Sequence, residues 1–451
     1  MNQVRVAAAR ALLAIERAEG TLAAELERAR VDVADPRDRA LLVELTSGTL
    51  RWRAAIDAII VAVSRRNLDQ IDVRARAVVR LGLYQLLYLE RVPAHAVVHE
   101  SVEAIRTMGR PKAAGFVNAV LRGTQRMIAA DASPLPKQPG PRAGRVAQTA
   151  YLTTTLSHPE WLIERWLGRY GYAATEAWCA FNNAPPSITV RTTAGVDEML
   201  AALAASGVAA ERARFVHDAI RLPPGTLGRL PAELRAELRV QDEGSQLVAR
   251  AVGARAGERV IDLCAAPGGK TLMLSGDMHG APLLIAADHR RARVALLRGM
   301  LERAGARVPV LSLDVRQPLP FEPIFDRVLL DAPCSGLGTL RRDPDLKWSR
   351  RPEDLAALAN AQREMLLRAA AIVKPGGELI YATCSSEPEE NAQVVRQFLS
   401  GHGGFSAAPT GRLARLVEAS LVNGDGDLET RPDMHGLDAF FASVLVRRRS
   451  A

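Results

Sequence analysis

Beyond about residue 245 the sequence alternates between short apolar runs and helical patterns, and this alternation constrains the fold more than any other feature. The apolar runs are Arg259–Leu263, Leu283–Ala287, Val308–Ser312, Arg327–Leu330 and Glu378–Thr383. Strands that alternate with helices predict a largely parallel sheet covered by helices on both faces. Ligands bind beyond the carboxyl ends of the strands in such sheets, so the motifs that follow these strands are candidate functional sites.

The first 130 residues have a different pattern, rich in Ala, Leu, Val and Arg, with apolar residues three and four positions apart. This spacing is typical of helices. A buried central helix is predicted around Val79 to Tyr88, with further helices at about Ala96–Thr107 and Ala113–Arg126. We therefore expect an all-α helical bundle here.

The rest of the chain is divided by composition. Residues 131–150 are rich in Pro and Gly and are typical of a linker. A helical pattern at Glu160–Tyr170, a β-run at Ser187–Thr192 and a helix at Val196–Ala205 predict a small α/β module. The predicted domain bounds are residues 1–130, 131–150 for the linker, 151–240 and 241–451.

Composition excludes several classes of protein. The net charge of +9 favours a polyanionic partner, although all but five of the 59 basic residues are arginine, which a GC-biased genome would also produce. Four cysteines without a CxxC pair argue against disulfides and against a structural metal. Charged residues interrupt the N-terminus and no apolar run reaches 18 residues, so we expect a cytoplasmic protein without a signal peptide or membrane span.

The first strand of this alternating region leads into a loop of small residues. Val260–Leu263 is followed by Cys264-Ala265-Ala266-Pro267-Gly268-Gly269-Lys270 and then a helix. Small residues let a ligand approach the backbone, and the free N–H groups of a helix start hold a carboxylate or phosphate. Asp288 and Asp314 follow the next two strands, where an acid can bind ribose hydroxyls, although turns and helix caps use the same residues.

Three long segments resemble the signature segments of the RNA cytosine-5 methyltransferases and occur in the family's order. They are Asp262–Lys270, Asp331–Gly336 and Tyr381–Ser385, and the likeness extends to Gln241–Gln246, Lys374–Gly377 and Pro388–Asn391. The resemblance implies a Rossmann-like domain that binds S-adenosylmethionine through Cys264 to Lys270, Asp288, Asp314 and Asp331. Within this set we interpret Lys270 as a residue that orients acids or the methionine carboxylate.

The helical half resembles the NusB-type RNA-binding domain. The segments that carry this likeness are Asp38–Leu42, Gly48–Trp52, Arg80–Tyr84, Pro93–Ala96 and Phe116–Arg122. Both halves together resemble the RsmB-type family of bacterial small-subunit rRNA methyltransferases, which implies an RRM-like fold for the small α/β module. Ala439, where the family usually has glycine, and Glu243-Gly244 depart from the pattern. We expect them to affect a turn or substrate fit and not the chemistry.

Two cysteines follow predicted strands at the catalytic edge. Carbon 5 of cytosine is too electron-poor to attack a methyl sulfonium until a thiolate adds at carbon 6, so the reaction needs a cysteine. Spacing alone allows either Cys334 or Cys384 to attack. The resemblance assigns Cys384 as the nucleophile, Cys334 as the helper in release and Asp331 as the group at the base edge. Cys264 is predicted to pack in the loop, and Cys179 to be structural.

The target cytosine has to leave its base stack, which is cheapest in loops and bulges. We therefore expect a stem-loop of small-subunit ribosomal RNA as the partner of a monomeric enzyme. The helical domain and the small module are expected to select the cytosine. Arg341–Trp348 either grips the RNA backbone, while Trp348 stacks or packs, or forms an ordered surface loop.

Three alternatives stay open on the sequence. The same chemistry on transfer RNA is possible, although the NusB-like half argues against it. A catalytically silent RNA-binding factor would not need the intact cysteines, Asp331 and the cofactor loop. A small-molecule methyltransferase would need neither those cysteines nor a basic helical domain.

Overall fold

The structure of the protein is a computed structural model, and it describes residues 2–140, 142–279 and 283–449. Its α-helices are α1 Asn2–Glu16, α2 Leu22–Arg30, α3 Pro36–Arg51, α4 Arg53–Ser64, α5 Val73–Tyr88, α6 Ala94–Thr107, α7 Ala114–Ala129, α8 Arg145–Ala150, α9 Glu160–Asn183, α10 Val196–Ala205, α11 Ala232–Glu237, α12 Glu243–Val252, α13 Gly269–Asp277, α14 Arg291–Arg303, α15 Leu346–Ser349, α16 Pro352–Ala371, α17 Ala392–Gly401 and α18 Pro432–His435. Its strands are β1 Ile188–Thr192, β2 Glu211–Arg212, β3 Ala219–Leu222, β4 Leu238–Val240, β5 Val260–Leu263, β6 Leu284–Asp288, β7 Val310–Ser312, β8 Phe325–Asp331, β9 Val373–Thr383, β10 Phe405–Ala407, β11 Leu428–Glu429 and β12 Phe441–Arg447.

The chain divides into two compact units. The first comprises Met1–Pro185 and Leu340–Ser349, and the second comprises Pro186–Thr339 and Arg350–Ala451. The segment Leu340–Ser349 therefore belongs to the first unit, although it lies between β8 and α16 of the second along the chain. Among the described residues, no helix combines the length and the apolar character needed to cross a bilayer.

The described part of the first unit is helical, which confirms the predicted all-α bundle. Helix α5 lies at its centre and buries Val79, Leu81 and Leu83, because apolar residues occur on every side of this helix. Its charged residue Arg80 is buried as well and pairs with Asp57 at 2.6 Å and with Glu16 at 3.1 Å. These carboxylates offset the desolvation of the guanidinium.

Two sheets form the second unit. The smaller sheet is antiparallel in the order β2-β3-β1-β4, and its apolar face packs against α10 through Met199 and Leu203. The larger sheet has the order β10-β12-β9-β8-β5-β6-β7, with β11 beside β12. Strands β5 to β9 are parallel to one another and fall on the five predicted apolar runs, so the largely parallel sheet is confirmed. Strands β10, β11 and β12 are antiparallel additions that the apolar runs do not predict.

The domain bounds drawn from the sequence stay a prediction. The predicted linker contains α8, and its Pro141 lies outside the described residues. The predicted small module, residues 151–240, contains α9 of the first compact unit and β1 to β4 of the second. Helix α9 is itself interrupted at Gly171, which has φ 75° and ψ 178°.

Candidate active site

The carboxyl ends of five parallel strands lie side by side in the larger sheet. Leu263 of β5 is in register with Ala287 of β6 and with Leu330 of β8, and Asp331 is in register with Ala382 of β9. Residues that follow these strands are consequently brought to one edge. They include most of the residues predicted from the sequence, namely Cys264 to Lys270, Asp288, Asp314, Asp331, Cys334 and Cys384.

The loop after β5 is held in an unusual backbone conformation. Cys264 has φ 61° and Gly268 has φ 114°, both in the left-handed region. A Cβ on Gly268 would also lie 2.9 Å from a methyl carbon of Leu297, so this position needs glycine. The Ala265 N–H donates to the carbonyl oxygen of Ala287 at 2.8 Å, which fixes the loop against β6.

Asp288 and Asp314 lie at the ends of neighbouring strands in different surroundings. Asp288 is nearly buried and accepts hydrogen bonds from the N–H groups of Ala266 at 3.1 Å and His289 at 2.9 Å, and from Arg293 at 3.1 Å. Hydrogen bonds from Arg316 hold the pKa of Asp314 down at about 2. Asp314 is therefore ionised at neutral pH, and both side chains present oxygen atoms that can accept hydrogen bonds from ligand hydroxyl groups.

Lys270 and Asp331 form an ion pair between the start of α13 and the end of β8. Their Nζ and Oδ2 atoms are 2.8 Å apart. Burial lowers the pKa of Lys270, but the charges of Asp331 and Asp262 outweigh burial and raise that pKa above its usual value. Lys270 is thus a cation paired with Asp331, and its role in orienting acids or the methionine carboxylate stays a prediction.

Asp262 lies beneath this pair, on β5. It is fully buried, and its Oδ2 accepts a hydrogen bond from the Thr271 hydroxyl at 2.6 Å, while its Oδ1 has no hydrogen-bond partner among the described residues. Burial raises the pKa of Asp262 to about 7, against the opposing effect of Thr271. This carboxyl group changes its protonation state near neutral pH.

The two predicted cysteines meet beside the ion pair. The sulfur atoms of Cys334 and Cys384 are 3.4 Å apart, although the residues are 50 positions apart in the sequence. The Gly338 N–H donates to the Cys384 carbonyl oxygen at 3.0 Å and so ties the loop after β8 to the end of β9. Two thiols, a lysine and a carboxylate at one sheet edge can carry out nucleophilic and proton-transfer chemistry.

Comparisons with known proteins identify the family. Residues 249–446 match the family described as 16S rRNA methyltransferase RsmB/F, residues 2–126 match the NusB family, and residues 158–226 match the ferredoxin-like domain of RsmF/B-like methyltransferases. The ribosomal RNA small subunit methyltransferase B of Pseudomonas putida is 36% identical over 450 residues, with 98% of each chain covered. The probable methyltransferase of the same name from Bacillus subtilis is 35% identical, with 91% of each covered. The chain belongs to the RsmB/F family of 16S rRNA methyltransferases.

Solved structures agree with this assignment. The crystal structure of PH0851 superposes with a TM-score of 0.79 at 26% identity, covering 99% of this chain and 98% of that one. NSun6 from Pyrococcus horikoshii, solved with the S-adenosylmethionine analogue SFG, has a TM-score of 0.56 at 18% identity, covering 65% and 99%. The family models give the methyltransferase the predicted combination of a NusB helical domain, a ferredoxin-like module and a methyltransferase domain, and as a member of the RsmB/F family it uses S-adenosylmethionine.

The residues at the sheet edge of this methyltransferase fit that cofactor. Asp288 and Asp314 are acceptors for ribose hydroxyls at the ends of adjacent strands. Lys270 and the N–H groups at the start of α13 suit the methionine carboxylate. The buried, unpaired Oδ1 of Asp262 leaves one more acceptor at the base of the loop. No group of three or more potential metal ligands occurs in the described ranges.

The thiol of Cys384 is neutral in this arrangement of the methyltransferase. Its hydrogen bond with Cys334, its burial and the nearby Asp331 raise its pKa well above the usual value, while Lys270 acts in the opposite direction. Cys264 and Cys179 are also uncharged, because burial raises the pKa of each thiol.

The expectation that Arg341–Trp348 grips RNA is wrong for Lys347, and Trp348 follows the packing alternative. Lys347 is fully buried in the first unit, with its Nζ 2.9 Å from Asn183 Oδ1 and 3.2 Å from the carbonyl oxygens of Arg51 and Ser157. The Trp348 indole N–H donates to the Leu50 carbonyl oxygen at 2.7 Å. The side chains of Lys347 and Trp348 therefore pack inside the protein, which local composition does not reveal.

The two departures from the family pattern have structural roles. Glu243 is buried and accepts hydrogen bonds from the N–H groups of Phe215 and Val216 at 2.5 and 3.1 Å. Ala439 donates its N–H to the carbonyl oxygen of Gly338 at 2.9 Å. The Glu243 side chain thus joins the start of α12 to residues 215 and 216, while the Ala439 bond is made by the main chain. The effect of the two departures on a turn or on substrate fit stays a prediction.

Sequence reasoning missed a polar cluster behind the cysteines. Ser335 and Ser385, which follow the two cysteines, both hydrogen-bond to the buried carboxylate of Glu390. The available signal was the repeated Cys-Ser pair, which places a hydroxyl next to each thiol. The shared partner becomes visible only in the fold.

Proposed function

We propose that this enzyme methylates carbon 5 of a cytosine in small-subunit ribosomal RNA through a covalent bond between Cys384 and the base. The observation that carries this proposal is the 3.4 Å separation of the Cys334 and Cys384 sulfur atoms beside the Lys270–Asp331 ion pair. A single thiol would be enough for attack, whereas two adjacent thiols suit attack followed by release.

The proposed reaction begins at carbon 6. The Cys384 thiolate forms a bond to this carbon, and the electron pair of the ring double bond becomes available at carbon 5. S-adenosylmethionine, when bound, supplies an electrophilic methyl group. Asp331, held by Lys270, is proposed to lie at the N3 edge of the base, where a hydrogen bond favours addition to the ring.

Release reverses the addition. A base removes the proton from carbon 5, the carbon 5–carbon 6 double bond forms again, and the carbon–sulfur electron pair returns to Cys384. We assign help in this step to Cys334 because its sulfur is next to the leaving sulfur. The cofactor set is proposed to comprise Cys264 to Lys270, Asp288, Asp314 and Asp331.

The finer features of the substrate are proposals of the same kind. We propose a stem-loop target, since an unpaired cytosine costs least to extrude. We also propose that the enzyme works as a cytoplasmic monomer.

The experiment is a denaturing gel of wild type, Cys334→Ala and Cys384→Ala after incubation with S-adenosylmethionine and small-subunit rRNA. We expect a covalent protein–RNA band that accumulates only in Cys334→Ala, because this variant can attack but releases slowly. Cys179→Ala, which removes a thiol buried in the first unit, is the matched control and should behave as wild type.

The other outcomes are informative. A band only in Cys384→Ala would exchange the roles of the two cysteines. A band formed with transfer RNA and not with rRNA would move the reaction to the other substrate. No band in any lane, together with no methyl transfer by wild type, would refute the proposed chemistry.

A further inference from the structure

A buried carboxylate lies behind the two cysteines and accepts four hydrogen bonds. Oε1 of Glu390 accepts from the Ser335 N–H at 2.8 Å and from Gln362 Nε2 at 3.0 Å. Its Oε2 accepts from the hydroxyls of Ser335 and Ser385, both at 2.5 Å. Burying a carboxylate is costly unless its oxygens accept hydrogen bonds, and here each of the two oxygens accepts two.

The donors belong to the two cysteine loops. Ser335 directly follows Cys334, and Ser385 directly follows Cys384. Their hydroxyl oxygens are 3.2 Å apart, so one carboxylate joins the loop after β8 to the loop after β9. Gln362 of α16 also donates to the carbonyl oxygen of Pro333, the residue before Cys334.

Glu390 is itself fixed in place. The hydroxyl of Tyr381, a buried residue of β9, donates to the Glu390 carbonyl oxygen at 2.6 Å. Strand pairing reaches Asp331 and Ala382 but stops short of both cysteines. Contacts beyond the strands therefore have to set where the two sulfur atoms lie.

We propose that Glu390 is a positioning residue that sets the separation of the Cys334 and Cys384 sulfur atoms. The proposal rests on the proposed function, since Glu390 would act on the reaction through these cysteines. Attack and release at a single cytosine require both sulfurs within reach of the same ring, and misplacement by about 1 Å can cost on the order of 100-fold in rate.

Two substitutions separate position from charge. Glu390→Ala removes all four acceptors and frees both loops. Glu390→Gln keeps an oxygen for the Ser335 N–H and Gln362, and its amide N–H groups face two hydroxyls that can rotate and accept. We therefore expect the rate to fall in the alanine variant and to be largely rescued in the glutamine variant.

Two measurements are made on the full-length enzyme. The first is the single-turnover methylation rate of rRNA, which should fall on the order of 100-fold in Glu390→Ala with KM for rRNA little changed. The second is the rate at which diamide oxidises Cys334 and Cys384 to a disulfide, followed by mass spectrometry of the joined peptides. This rate reports the sulfur separation and should fall in Glu390→Ala but not in Glu390→Gln.

Glu364→Ala is the matched control, because it removes an exposed carboxylate from α16, the helix that carries Gln362. It should match wild type in both measurements. If Glu390→Ala does not fold, the double variant Ser335→Ala/Ser385→Ala keeps the carboxylate but removes both hydroxyl donors, and it should slow both rates.

Wild-type rates of methylation and disulfide formation in Glu390→Ala, or in the double variant, would overturn the proposal. A glutamine variant as slow as the alanine variant in both measurements would also overturn it, since charge and not position would then matter. Disulfide formation requires no methyl transfer. Failure of the covalent trapping experiment would therefore refute the proposed function without deciding the role of Glu390.

Discussion

Asp314 and Asp262, both near the carboxyl edge of the larger sheet, have pKa values shifted in opposite directions. Asp314 is paired with Arg316, and its pKa lies at about 2, so it is ionised throughout the neutral range. Asp262 is fully buried with one unpaired oxygen, and its pKa is raised to about 7 by burial. Two aspartates of one sheet, Asp262 within β5 and Asp314 after β7, thus carry different charges near neutral pH.

We predict that Asp262 makes stability depend on pH. An aspartate in an unfolded chain titrates near about 3.9, so the folded state holds this proton more tightly. Its contribution to stability is fully present below about pH 4 and is lost as pH rises to about 7. Between pH 5 and pH 8 the free energy of unfolding of wild type should fall by about 2 to 3 kcal/mol relative to Asp262→Asn, measured by urea denaturation.

Asp314→Asn is the control for this titration. The pKa of Asp314 is about 2 in the folded protein, so this side chain does not titrate between pH 5 and pH 8. The difference in free energy of unfolding between wild type and Asp314→Asn should therefore stay constant over that range. A constant difference for Asp262→Asn as well would contradict a buried carboxyl group that titrates near pH 7.

At the scale of elements, the loop after β8 and the end of β9 are in close backbone contact. A Cβ at Gly338 would lie 2.7 Å from the Cys384 carbonyl oxygen and 2.1 Å from that of Ala439. Both obstacles are backbone atoms, so a side-chain rotation cannot relieve them. The position of Cys384 therefore depends on a glycine in a different loop.

Gly338→Ala is predicted to displace Cys384 and to lower methylation on the order of 100-fold, because the attacking sulfur would leave its productive position. The measurement is the single-turnover rate together with S-adenosylmethionine binding, which should be retained because the loop after β5 is unchanged. Gly403→Ala, with open space around its Cβ and an ordinary φ, should keep the wild-type rate. A wild-type rate in Gly338→Ala would show that this contact does not position the nucleophile.

At the scale of the whole molecule, ten residues that follow the Pro-Cys loop belong to the helical unit. Leu340–Ser349 is part of the first compact unit, where Asp345 accepts a hydrogen bond from the Leu22 N–H at 3.0 Å. Trp348 packs against the hydrophobic core of the helical unit, and the buried Lys347 ammonium donates to oxygen atoms of Arg51, Ser157 and Asn183. Removing residues 1–130 would take away partners of this segment as well as a domain that binds RNA in the proposed function.

Trp348→Ala is predicted to lower the free energy of unfolding of the first unit by on the order of 3 kcal/mol, through lost packing and the lost bond to Leu50. Hydrogen exchange should become faster both in residues 340–349 and around Leu50. Ser349→Ala alters an exposed neighbour and should leave exchange unchanged. Faster exchange in residues 340–349 alone would contradict a shared structural unit.

The sequence by itself determined the features that depend on local pattern. Helix and strand periodicities predicted α5 to α7 and the five parallel strands, because each needs only residues close in sequence. Motif likeness located the loop Cys264–Lys270, and the position of Cys334 and Cys384 after strands predicted that they share one edge. The roles assigned to these residues remain predictions for the trapping experiment.

Only the tertiary structure decided the contacts between segments far apart in sequence. The approach of the two sulfur atoms to 3.4 Å, the carboxylate of Glu390 shared by two serines, and the burial of Lys347 all join residues on separate elements. Spacing along the chain carries no information about such contacts, since they form only when packing and strand order bring the elements together.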